Sequence, residues 1–185
     1  MLSSTLFRFS GWAGVVSGLL LLADTLLFDL LWPTQAVARI PSLLVIPSGL
    51  LALVGLYLWQ RESSGRLGGI GYILNTVGLV LLFGVVFANN FILAYLDGEA
   101  VQALFAGPTR LAFLMSALIF LIGVVLFSIA TVKARVLPGK AAVLYCVGFI
   151  PLGLSALLPA LVVNIGQVVG ALGIVWLGYA LRKAA

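Results

Sequence analysis

The chain has no histidine, a single cysteine (Cys146) and charged side chains at only 8% of its 185 residues. Without imidazole, histidine-ligated haem and zinc sites are excluded. One thiol and no imidazole also leave the usual nucleophile and base pairs of acyl transfer unassembled. A lone cysteine permits no internal disulfide. Carboxylates are scarce, and two that lie near each other, Asp24 and Asp29, stand about 140° apart around a helix at roughly 100° per residue, so they form no acid pair. No lysine falls inside an apolar run, so a retinal-type Schiff base has no amine. The glycine-rich stretch from Gly65 to Gly71 lacks both the strand and the lysine of a phosphate-binding loop. These absences predict a protein without a catalytic residue, a metal or a cofactor.

Apolar sequence is abundant. The chain is 63% hydrophobic with a mean hydropathy of +1.27, whereas a soluble domain carries about 25% charged residues. A membrane-spanning helix needs about 20 apolar residues, and six runs qualify, at about 11–32, 42–60, 68–95, 111–132, 141–161 and 163–181. The predicted fold is all-α, a polytopic bundle of six transmembrane helices, with residues 1–185 forming one transmembrane domain. Arg8 followed by an apolar run resembles the start of a signal peptide, but no small-residue cleavage site follows and Asp24 interrupts the run. The segment therefore reads as a retained first span.

The ten basic residues fall in the breaks between the runs. Arg8, Arg61, Arg66, Lys133, Arg135, Lys140, Arg182 and Lys183 lie in alternate breaks, and only Arg39 and Arg110 lie in the others. Lysine and arginine stay cytoplasmic in short loops, so both termini are expected inside, in a plasma or bacterial inner membrane. A net charge of +5 would suggest nucleic acid in a soluble chain. Here its sorting by side accounts for it, and the expected partner is the lipid bilayer.

Several features mark the ends of the spans. Trp12, Tyr57, Trp59 and Tyr179 are placed near the inner boundary, and Trp32 and Tyr95 near the outer one. They read as interfacial anchors or as an aromatic ligand cage. Asp97 is positioned to cap a short helix ended by Gly107 and Pro108, which either lies on the outer surface or covers a pocket. Arg61 to Arg66 and Arg135 to Lys140 share a spacing of basic residue, three others, glycine and basic residue. That echo fits either a repeated hairpin or the common needs of tight cytoplasmic turns. Pro47, Pro151 and Pro159 should kink spans two and five. Gly14 and Gly18, with Gly11, line one face of the first span, and Gly166, Gly170 and Gly173 line one face of the sixth. Such stripes permit close helix packing, within the bundle or against a membrane protein partner or a second copy.

Asp24 is the one carboxylate well inside a span, on the order of 18 Å beyond Trp12 at roughly 1.5 Å per residue. A charged aspartate at such depth costs about 2.5 to 3.5 kcal/mol on insertion scales, so it should face the interior or be neutral. In span three, Gly71, Asn75, Gly78 and Asn89 share one small and polar stripe. Asp24, Asn75, Asn89, Asn90, Asn164 and Gln167 are the candidate intramembrane polar site, with Asn75 nearer the cytoplasmic side.

The stretch Val124 to Leu144, VVLFSIATVKARVLPGKAAVL, and the closing run Leu177 to Arg182 resemble a diffuse group of uncharacterised bacterial multispan proteins. The resemblance covers about the second half of the chain and implies a bacterial inner membrane without implying an activity. Members often carry an acid near the outer end of span three, where this chain has Asn89 and Asn90. Two function classes follow. The sparse loops and glycine stripes favour a nonenzymatic accessory or scaffold subunit of a membrane assembly. Asp24, the polar stripe and the kinks favour a small transporter or binding protein for a lipophilic or cationic solute.

Overall fold

The structure, a computed structural model, describes residues 4–31, 40 and 42–185, with residues 28–31 described by their backbone alone. Every regular element among the described residues is helical. Helix α1, Ser4–Ala23, begins well before the expected start at residue 11 and widens into a π-helical stretch, Asp24–Leu31. Trp32, Arg39 and the side chain of Asp29 lie outside the description.

Helix α2, Ser42–Phe91, is 50 residues long, and a straight helix of that length would measure about 75 Å. It is folded back on itself at Gly65, where φ 56 and ψ −153 give a backbone conformation that a Cβ would obstruct. Tyr57 and Tyr72 stack across the fold at 4.3 Å. At the far end Asn90 donates to the Ser42 hydroxyl at 3.2 Å. The limbs 42–64 and 66–91 are thus antiparallel. The polar segment that the sequence predicts as a turn is helical on both sides of a single residue.

A 3-10 turn, Leu93–Tyr95, leads to helix α3, Gly98–Ala106. Asp97 caps it by accepting from the Ala100 N–H at 2.7 Å, and Pro108 opens helix α4, Pro108–Ala134. Arg135 turns the chain in the left-handed region at φ 55. Although Arg61–Arg66 and Arg135–Lys140 echo each other in sequence, the turns they make are different.

Helix α5, Gly139–Gly153, has 15 residues and rises only about 22 Å. The fifth span is therefore shorter than the expected 141–161. Pro151 cannot donate to the preceding turn and its ring crowds the carbonyl four residues back. The helix stops at Gly153, and residues 154–158 form turns before Pro159 caps helix α6, Ala160–Ala184.

These stretches pack in a circuit. The first limb of α2 lies on α1, α1 on α6, α6 on α5, α5 on α4, and α4 on the second limb. Small residues set the separations. A methyl group on Gly11 would sit 2.7 Å from the Gly178 carbonyl oxygen, and one on Gly14 3.1 Å from the Gly178 Cα, while Gly18 faces Ala171 and Val175. In the α5–α6 seam Gly166 faces Gly148, Gly170 the Phe149 ring, and Gly173 the Tyr145 backbone. Gly71 and Gly78 similarly meet Phe127 and Phe120 of α4. With no hydrophobic driving force between helices in lipid, such close contact supplies the packing energy.

The outer surface is apolar around the bundle, with Leu19, Ile73, Leu111, Val147 and Ile165 all exposed. Among the described residues, four helices are long and apolar enough to cross a membrane, the folded α2 counting as one of them. The protein is an all-helical bundle suited to a lipid environment.

Candidate functional site

The helix ends near Gly65, Ser4 and Ala184 lie together, and the circuit is tight there. At the opposite end, beside α3, the helices part around a central cavity of about 840 Å³. Its walls are Leu21 of α1, Ile46 and Leu53 of the first limb, and Leu82 and Val86 of the second. Phe113 and Phe120 of α4, Phe149 and Leu152 of α5, and Ile174 of α6 complete them. Gly49, Ala52, Ala117 and Gly153 also line the space. From Arg110 at the mouth to Phe127 at the floor, the chamber follows α4 for about 25 Å at roughly 1.5 Å per residue.

Polar groups gather at the mouth because helix ends meet there. Asp24 starts the π-helical stretch, Ser42 opens α2, Asn89 and Asn90 close it, and Arg110 lies in the first turn of α4. Gln102 and Phe105 bring α3 over the opening, and Phe105 packs edge-on against Phe113 at 5.2 Å. Ser155 and Gln167 complete the polar lining on the α5–α6 side. Deeper on the wall Ser17 donates to the Val45 carbonyl at 2.7 Å.

The six residues predicted as a polar site are thus divided. Asp24, Asn89, Asn90 and Gln167 line the cavity. Asn164 is half-buried on α6 and is not among the lining residues. Asn75 is fully buried beneath the floor, where its amide donates to the Tyr145 hydroxyl at 2.9 Å and its carbonyl oxygen lies 3.2 Å from the same hydroxyl. Below that pair Gln60 donates to the Thr131 hydroxyl at 2.9 Å, and Thr131 donates to the Phe127 carbonyl at 2.9 Å. Gln60 Oε1 is buried with no hydrogen-bond partner among the described residues. Two tiers of buried polar contact therefore seal the narrow end.

Sequence reasoning missed Arg110, Gln102 and Ser42 at the mouth, and Tyr145, Gln60 and Thr131 beneath it. Arg110 did leave a signal, as one of only two basic residues outside the alternate breaks that hold the other eight. Of the two readings of the interfacial aromatics, the cage has a partial counterpart: the rings of Trp12 and Tyr179 lie 4.5 and 5.1 Å from the Arg182 guanidinium, so the chain's own cation occupies that position.

Chemically, the chamber offers an apolar body joined to a mouth of amides and hydroxyls with, among the described residues, one carboxylate and one guanidinium. Compared with known families, curated proteins and solved structures, the chain matches none.

Proposed function

We propose that the chain is a six-span membrane protein, with both termini in the cytoplasm of a bacterial cell, that binds a small lipophilic molecule by its apolar body and holds its polar head at the outward mouth. The cavity carries this reading. Ligand pockets typically measure about 300 to 1,000 Å³ and are lined by apolar side chains with a few placed polar groups, and this one fits that description. Water finds few partners on the apolar walls of the chamber's body, and an apolar occupant covers them. The predominantly apolar lining supports binding, as carrier or receptor.

The sidedness rests on eight basic residues against two and is tested by cysteine labelling after replacing Cys146 with alanine. Ser63→Cys and Lys140→Cys should react only from the cytoplasm and Glu99→Cys only from outside. The ligand reading is tested by purifying the full chain in mild detergent and identifying small molecules by mass spectrometry. Ala117→Trp fills the chamber and should remove a molecule that co-purifies with the unaltered protein. A companion membrane protein in place of a small molecule would favour the accessory-subunit role instead.

A further inference from the structure

A second recognition surface lies at the opposite end of the bundle, on the outside of the α1–α6 seam. Gly11 and Gly178 bring these helices so close that the Arg182 backbone rests against Gly11. Arg8, Arg182 and Lys183 thereby meet around one groove of about 510 Å³, together with Trp12 and Ala185. The Arg182 guanidinium is held in place, 4.5 Å from the Trp12 ring centroid and 5.1 Å from that of Tyr179. The one ion pair among the described residues joins Arg61 to Glu62, so no carboxylate side chain neutralises the three cations.

From this cluster two exposed apolar stripes run along the seam. Trp12, Val16 and Leu19 lie at i, i+4 and i+7 on α1, and Tyr179, Trp176 and Leu172 run the same way on α6. Trp12 and Tyr179 both touch Arg182, so the stripes flank the same side of the seam. A cationic groove at the head of a paired apolar track matches an amphiphile with an anionic head.

We propose that the α1–α6 seam binds one anionic phospholipid of the cytoplasmic leaflet, its phosphate held by Arg8, Arg182 and Lys183 and an acyl chain laid between the two stripes. Guanidinium groups suit phosphate because their paired N–H donors match its oxygens. The stacked aromatic rings fix Arg182 in place before lipid arrives, which reduces the ordering cost of binding. The site depends on the chain being in a membrane and is independent of what fills the central cavity.

The test is native mass spectrometry of the detergent-solubilised full chain titrated with phosphatidylglycerol, phosphatidylcholine or inorganic phosphate. One phosphatidylglycerol should be retained in preference to phosphatidylcholine. Arg182→Gln and Arg8→Gln should each weaken it about fivefold, as expected for one interfacial charge. Arg8 is exposed, so its variant keeps the fold if Arg182→Gln does not. Lys140→Gln removes a cation from the α4–α5 turn and should leave retention unchanged. Equal retention of the two lipids, or an equal loss in Lys140→Gln, would overturn the site. Inorganic phosphate displacing the lipid at matched concentration would reassign it to a free anion. Failure of the unaltered chain to enter vesicles of either lipid would instead overturn the membrane reading.

Discussion

The two ends of the bundle are built on opposite principles. At the end holding Ser4, Gly65 and Ala184, backbones approach over glycine and buried amides meet hydroxyls. At the α3 end the helices stand apart around apolar side chains that do not reach one another. The contrast also runs across the bundle: where Gly148 and Gly170 face each other on the α5–α6 side of the chamber there is no room for a methyl group, yet Ala117 of α4 borders open space.

The strongest test of this contrast is at the tight seam. Gly148→Leu should destabilise the bundle by about 3 kcal/mol or more, because the added side chain meets backbone with no freedom to yield. Gly170→Leu should cost less, since it meets the Phe149 ring. Thermal unfolding in one detergent checks both, and an unchanged midpoint for Gly148→Leu would show that the seam is loose. A middle effect is expected at the floor. Asn75→Leu should cost about 1 kcal/mol, within the range for hydrogen bonds between membrane helices. Combining it with Tyr145→Phe should cost less than the sum of the single changes, because neither partner is then left unpaired. The smallest effect belongs to the mouth. Asp24→Asn keeps the side chain's size and an acceptor oxygen, so it should shift stability by less than Asn75→Leu does, while removing any preference of the cavity for cationic over neutral solutes. A loss as large as that of Asn75→Leu would place Asp24 in the framework rather than at the ligand.

Much of the fold was legible because a lipid environment imposes simple rules. Six helices in order follow from run length, and the cap at Asp97 from local spacing. The fifth helix was misjudged because Leu154 to Leu158 is as apolar as a span, and hydropathy does not register that Pro151 and Pro159 deny it a helix. The hairpin between spans two and three follows from the polar segment Arg61 to Arg66, but that both helices continue up to the single residue Gly65 does not. For the site, the stripe bearing Asn75 indicated an inward face, but Tyr145 as its partner is a tertiary fact with no local trace. The cavity was hidden for a deeper reason. It is a gap between helices far apart in the chain, bounded by Leu21, Leu53, Phe120 and Phe149 among others, and a sequence records only what each residue adds.

The short fifth helix has one further consequence. Over its 15 residues α5 rises about 22 Å, against about 30 Å of hydrocarbon in a typical bilayer, and Ser155 and Ala156 of the turn beyond it line the chamber. In the proposed membrane setting the helical part of that wall is shorter than the hydrocarbon layer. A solute that entered over it would arrive from the hydrocarbon phase without passing the polar mouth. Occupancy would then follow the solute's concentration in oil, so that two molecules equally abundant in water but tenfold apart in partition coefficient would compete as though one were ten times more plentiful.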